Sequence, residues 1–286
     1  MYGWLIVNNF VNSEKSTGLR NMLLSSAEKQ GITLELKRTG ELNIPIGEGY
    51  GSLPDFAVFW DKDINLASRL ESLGLRLFNS SRSIALCDNK VLTYMELAEK
   101  KLPFPVTYAS PKTYKGIGYN NMDFVENACN ALGYPVVIKE AYGSFGQQVY
   151  LAENHAEVCN IVDKIGSREF VIQHFVKESR GKDVRINVVG DKVVASMYRY
   201  NDNDFRSNIT NGGNMKEYKA TAEQERLAVD ACKALGLDFG GVDVLFGNEG
   251  AVICEVNSNP HFKSTYDCTG IDMSEHILSY IKEQLK

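Results

Sequence analysis

The sequence predicts an α/β chain with a small parallel α/β unit first and a larger α+β remainder, and three observations carry that expectation. Over residues 1–85 short apolar runs alternate with segments of helical period, the pattern of parallel βαβ units. From residue 135 onward β-branched runs come in pairs across glycine-bearing turns, the pattern of antiparallel hairpins. The length, 286 residues, suits about two domains and needs no disulfide or structural metal to complete a core.

The elements follow in order. Trp4–Val7 is a short apolar strand, and Ser16–Gln30 carries Leu19, Met22, Leu23 and Ala27 at helical spacing. Ile32–Leu36, Phe56–Trp60 and Leu75–Phe78 read as strands, with a helix over Asn65–Leu73. No G-x-G-x-x-G follows the first strand, which disfavours a dinucleotide-binding Rossmann unit. Leu92–Lys101 is a helix ending before Pro103, and Pro103, Pro105 and Pro111 mark a connection with short extended pieces. A helix over Asp123–Leu132 stops at Gly133, and helices are expected again at Glu157–Ile165, Thr221–Leu235 and Ser274–Leu285. Strands are expected at Pro135–Glu140, Gln148–Leu151 and Phe170–Val176. A hairpin joins Val184–Val189 to Lys192–Arg199 through Gly190-Asp191, and another joins Val242–Phe246 to Ala251–Val256 through Gly247–Gly250.

Composition narrows the function classes. Thirty-one basic and 36 acidic residues give a net charge of −5, against a dedicated binder of nucleic acid or anionic membranes. The six cysteines include no CxxC pair, so a zinc site is not expected and they read as reduced, mostly buried thiols. The opening MYGWLIVNNF lacks a basic leader, and no stretch approaches the ~18 apolar residues of a membrane span; a soluble cytoplasmic protein is expected.

Three constellations could carry chemistry. Asp243 lies in the apolar run GGVDVLF, and Glu255 in AVICEVN with Asn257 two residues on, hence on the same strand face. If Gly247–Gly250 is the turn, Asp243 pairs near the end of the returning strand, with Cβ atoms ~5 Å apart across the ladder. Two carboxylates and an amide oxygen are hard ligands suited to Mg²⁺, and charges embedded in apolar strands are costly unless paired or metal-bound. Solvated acids on an exposed strand face are the alternative. The second constellation is Lys139 at the end of PVVIKE, followed by Gly143-Ser144-Phe145-Gly146. Such a turn can bring backbone N–H groups and a point charge to phosphates, or be an ordinary surface hairpin. The third is Asp204-Phe205-Arg206-Ser207-Asn208 with Asn211-Gly212-Gly213, suited to carboxylate or phosphate recognition or simply a polar loop.

Taken together the motifs resemble a known family. Asn89-Lys90, PVVIKE, GSFGQQV, VIQHFV, KDVRINVVGDKVVASMYRY, DFRSNITNGG, GVDVLF and EVNSNP stand in the order found in ATP-grasp carboxylate–amine ligases. They are most similar to the branch of the ribosomal-protein glutamate ligases and the amino-group carrier-protein ligases of lysine biosynthesis. The resemblance covers roughly residues 86–286. It implies an N-terminal pre-ATP-grasp α/β domain over 1–85 and a two-lobed ATP-grasp domain over 86–286, with the ATP-closing lobe at about 103–176 and the C-terminal lobe at 177–286.

It further implies ATP with Mg²⁺ or Mn²⁺, two ions, bound between the lobes. Lys90 and Lys139 would contact phosphates under a loop at Gly143, Ser144, Phe145 and Gly146. Gln173, His174, Phe175 and Val176 would form the hinge at adenine, with Asp183 near the ribose. Asp243, Glu255 and Asn257 resemble the family's metal ligands, and Arg206 and Asn208 its residues at the junction of phosphate and acceptor carboxylate. The implied activity is ATP-dependent amide or peptide bond formation through an acylphosphate, with Lys139 and Arg206 as the catalytic charges and an amino acid, glutamate being the candidate, as one substrate. The partners implied are a small-molecule, peptide or carrier-protein carboxylate and an amine, with homo-oligomers common in the family. A non-catalytic Mg-ATP-binding module or sensor is the alternative. Two positions depart from the family pattern: His174 stands where close members often carry Glu, and Asn89 where Asp is usual.

Overall fold

The computed structural model describes residues 1–144 and 146–286. The first unit is the expected parallel sheet. β1 (Tyr2–Val7) pairs in parallel with β2 (Thr33–Arg38) and β3 (Phe56–Trp60), and β3 with β4 (Leu77–Phe78), in the order β2-β1-β3-β4. The crossovers are α1 (Glu14–Lys29), started by a capping box on Ser13, and α2 (Ile64–Ser72), capped by Asp63.

Two helices lead away from this sheet, α3 (Ser81–Asp88) and α4 (Lys90–Glu99). The helix α3 escaped the sequence reading because SRSIALCD is short and serine-rich; Ser80 starts it by accepting from the Ser83 N–H. The expected boundary near residue 86 falls within α3. Asn89 caps α4, its side chain accepting from Val91 N at 2.9 Å and Leu92 N at 3.3 Å. An amide oxygen thus does what a carboxylate would do at this cap.

The next segment builds a four-stranded antiparallel sheet in the order β5-β8-β6-β7 from β5 (Thr107–Ala109), β6 (Val136–Glu140), β7 (Val149–Ala152) and β8 (Phe170–His174). One face is closed by α5 (Asp123–Leu132) and α6 (His155–Ile165) around Val125, Val136, Ile138, Val162 and Phe170.

The third sheet, β11-β10-β9-β12-β13, is antiparallel throughout: β9 (Lys182–Val189), β10 (Lys192–Tyr200), β11 (Asn214–Glu217), β12 (Phe239–Gly247) and β13 (Gly250–Asn257). Both expected hairpins are present, through Gly190-Asp191 and Asn248-Glu249. The edge strand β11 has a polar, largely exposed sequence (NMKE) and no alternation to betray it. The core under this sheet is closed by α7 (Ala222–Ala234), whereas α8 (Lys263–Thr269), too short and polar to read as a helix, and α9 (Met273–Gln284) return toward the first unit. Leu19, Leu23 and Phe56 there share one core with Phe239, Phe262, Ile277 and Ile281. The N-terminal sheet is therefore fastened to the C-terminal lobe by buried apolar surface, about 1.5–3 kcal/mol for each large side chain.

Candidate active site

The antiparallel register of β10, β9, β12 and β13 builds one wall of a cleft. Arg199 stands opposite Asp183 across β10–β9, and Arg185 stands opposite Asp243 across β9–β12. Each pair is directly cross-strand, so the guanidinium reaches the carboxylate without a detour. Arg199 donates from Nε to Asp183 Oδ1 at 2.8 Å, and its Nη2 lies 2.8 Å from Asp243 Oδ1. Arg185 donates from Nη2 to Asp243 Oδ2 at 2.8 Å and also from Nε to Oδ1. All four side chains are buried. Burial works to raise the Asp243 pKa, but Arg185 and Arg199 outweigh it, so the carboxyl sits below its ordinary range. Burial likewise opposes the charge of Arg199, and Asp183 and Asp243 more than restore it.

Asp243 also stands directly opposite Glu255 on β13. The ladder slips by one residue just beyond, between Asp243 and Val244. This bulge lets the successive residues Cys254 and Glu255 both line the cleft, which the pleat of a regular strand would forbid. Glu255 receives Lys90 Nζ at 3.3 Å. Asn257 donates from Nδ2 to Gly241 O at 3.3 Å, lies one pleat beyond Glu255 and does not line the cleft.

The opposite wall comes from β6, β8 and the glycine loop. Lys139 on β6 is 6% exposed. Its ammonium meets the Tyr94 hydroxyl at 3.3 Å and Cys254 Sγ at 3.6 Å, and among the described residues no carboxylate pairs with it. Burial works against this charge, but Cys254, Tyr94 and Glu255 outweigh it, so the lysine titrates above its ordinary range. Arg206 clamps the loop from the other lobe. It donates from Nη1 to Gly146 O at 2.7 Å while Asp204 holds its Nε at 3.0 Å and Nη2 at 2.7 Å. Gly146 has φ +71°, and a Cβ there would meet Asn208 Oδ1 at 2.6 Å, so conformation and contact both require glycine. Ser144 N donates to Gln148 Oε1 at 3.2 Å, and Lys62 of the first unit reaches Ser144 Oγ at 3.5 Å.

Between the walls lies a cleft lined from both lobes. It gathers Lys90, Lys139, Gly143, Ser144, Gly146, Gln173, His174, Phe175, Val176, Asp183, Arg206, Asn208, Asp243 and Glu255. Phe145 lies outside the described residues. The segment 173–176 crosses between the lobes: Gln173 is buried and donates to Thr107 Oγ1 at 2.8 Å, and the exposed His174 ring turns to Leu132 O at 3.4 Å. The sequence reading missed Arg185, Arg199, Tyr94 and Cys254. Arg185, in the apolar strand KDVRINVV, carried the very signal that singled out Asp243.

Asp243 and Glu255 offer hard oxygen donors suited to a divalent cation, although no cluster of three acidic, histidine or cysteine side chains gathers among the described residues. A carboxylate offers about four lone-pair sites; Asp243 Oδ1 accepts from both arginines, whereas Oδ2 accepts from Arg185 alone. Among the described residues Lys90 is the ion-pair partner of Glu255, and Asn257 is oriented through its amide nitrogen.

Residues 87–281 match the RimK-like ATP-grasp domain. The chain belongs to the RimK-like ATP-grasp family. Among known proteins this RimK-like chain is 37% identical over 220 residues to a probable α-L-glutamate ligase of Shewanella, covering 76% of this chain and 70% of that one. It is 34% identical over 256 residues to β-citrylglutamate synthase B of Danio rerio, covering 85% of this chain and 61% of the relative. The chain thus spans about three fifths of that relative's length. A RimK-domain ATP-grasp protein of Sphaerobacter thermophilus shares the fold, with a TM-score of 0.76 at 20% identity over 98% of this chain and 99% of the other. No helix among the described residues is long and apolar enough to cross a membrane.

Proposed function

We propose that this RimK-like protein is an ADP-forming ligase that joins a carboxylate to an amine, with ATP and two Mg²⁺ or Mn²⁺ ions, and that glutamate is one substrate. The observation that carries the reading is Lys139. Among the described residues its buried ammonium is hydrogen-bonded only to a hydroxyl and a thiol, which leaves donor capacity for an anion. The cleft it faces also presents Lys90 and the backbone of a glycine loop, the means of holding phosphates. Two relatives support the substrate class, since glutamate stands in both their names.

The residues divide the work. Gln173–Val176 offer the hinge surface for the base, and Asp183, held by Arg199, lies near the ribose. Lys90 and Lys139 hold the phosphates while Arg206 keeps the loop shut from the C-terminal lobe and excludes water, which would hydrolyse an acylphosphate. Asp243, Glu255 and Asn257 would hold the metal ions, whose role is to neutralise phosphate charge during transfer. The substrate carboxylate attacks the γ-phosphorus, ADP departs, and the amine then displaces phosphate from the acyl carbon. Lys139 and Arg206 supply fixed positive charge where the transferring phosphoryl group spreads its own.

The test is ADP release from Mg-ATP with L-glutamate and a panel of carboxylates, including citrate and short peptides. Acceptor-dependent ADP release is expected, reduced at least a hundredfold in Glu255→Ala; an unchanged rate in that variant would remove the metal assignment. Nucleotide binding without turnover for any acceptor pair would favour a sensor module.

A further inference from the structure

Helix α4 contributes more to the cleft than its first residue. Tyr94 follows Lys90 by four positions, one turn on, and so shares its helix face. The ring is 5% exposed and stacks on Phe104, with centroids 5.1 Å apart and planes 26° apart. Its hydroxyl donates to Cys254 O at 2.7 Å and accepts from Lys139 Nζ at 3.3 Å. One oxygen therefore meets three elements: the helix that begins with Lys90, the strand β6 of Lys139 and the strand β13 of Glu255. Lys90 reaches that last strand too, through Glu255 Oε1 at 3.3 Å.

Donor and acceptor chemistry fixes the direction of both bonds. An ammonium has donors only, so Tyr94 must accept from Lys139, and the single phenol proton is left for the Cys254 carbonyl. Burial pushes the Tyr94 phenol above its usual range, so it stays neutral and keeps that proton. Cys254 is the residue that the bulge in β13 leaves without a partner on β12, so the hydroxyl grips the strand where its register shifts. The Cys254 thiol, 3.6 Å from the same ammonium, takes a second position around it. A lysine on a flexible four-carbon stem otherwise samples many rotamers, and one fixed before the ligand arrives has little of that freedom left to lose on binding.

We infer that Tyr94 is a positioning residue for the nucleotide site: its hydroxyl holds the Lys139 ammonium against the strand of Glu255, so that the lysine and that carboxylate face the ligand at one set separation. The inference deepens the ligase reading, because it takes Lys139 as a phosphate contact. It differs from a packing role, in which Tyr94 would only fill space beside Phe104 and bond a strand carbonyl.

The test is equilibrium binding of Mg-ADP to the full chain in a double-mutant cycle of Tyr94→Phe and Lys139→Met. Tyr94→Phe keeps the ring and removes the hydroxyl. It is expected to weaken Mg-ADP about fivefold or more where Lys139 is present, and less than about twofold in the Lys139→Met background. Phe104→Leu, which loosens the ring that carries the hydroxyl, should repeat the pattern with a smaller factor, and it takes the place of Tyr94→Phe if that variant does not fold. An equal loss in both backgrounds would mean packing alone, and wild-type affinity in a folded Tyr94→Phe would mean that Lys139 keeps its place unaided. Either result overturns the inference and leaves the ligase reading standing. A wild-type chain that binds no Mg-ADP would overturn both.

Discussion

The two walls of the cleft carry buried charge in opposite ways. On the C-terminal wall Asp183, Arg185, Arg199 and Asp243 satisfy one another through cross-strand pairs and lie finished before any ligand arrives. On the other wall Lys139 is equally buried, and among the described residues its hydrogen-bond partners are the neutral Tyr94 hydroxyl and Cys254 thiol. The first arrangement is a scaffold that fixes Asp243 beside Glu255. The second is a charge with donor capacity to spare, and the contrast separates residues that hold the fold from residues proposed to hold phosphate.

The largest expected effect falls on the finished wall. Asp243→Ala leaves two buried guanidinium groups short of a carboxylate, and removing one member of such a network costs about 3–5 kcal/mol. Chemical denaturation should show a loss of that order; a loss under about 1 kcal/mol would mean that the wall is not preassembled. Gly146→Ala comes next. A side chain at φ +71° costs on the order of 1–3 kcal/mol and pushes against Asn208, so the loop should close poorly. The expected readout is a raised KM for ATP with a melting temperature lowered by a few degrees. Arg206→Lys breaks the fork between Asp204 and the loop carbonyl, and should raise KM for ATP in the same direction by a smaller factor.

Acid provides the mildest comparison. The Asp243 carboxyl is held below its usual range, as is Asp204, chiefly through its hydrogen bond from Arg206. A depressed folded pKa contributes stability that is fully present above the unfolded value of about 3.9 and is lost as the pH falls through the lower folded value. Urea midpoints should therefore fall steeply below about pH 4. A flat profile there would show that these pairs add little.

Much of this site was legible in the chain. Asp243 and Glu255 stand out because charge inside an apolar strand needs a partner, and the flanking Gly247–Gly250 turn sets the hairpin that joins them. The register was beyond reach in detail, because the bulge that aims Cys254 and Glu255 together has no local sequence mark. Arg185 carries the same signal as Asp243, since a guanidinium inside an apolar strand needs a partner as much as a carboxylate does. The bond from Asn259 Nδ2 to Asp61 O was invisible for a different reason: the two residues lie far apart in the chain, and only the packing of the N-terminal sheet on the C-terminal lobe brings them together.

The central claim, that Lys139 is a buried charge reserved for phosphate, is tested most directly by the melting temperature of Lys139→Met with and without Mg-ADP. A ligand at a hundred times its Kd adds about 2.7 kcal/mol, or roughly 5–10 °C for a chain of this size. The wild-type protein is expected to show that rise. The variant is expected to lose the rise. A ligand-free Lys139→Met as destabilised as Asp243→Ala, or one that keeps the full Mg-ADP shift, would contradict the claim.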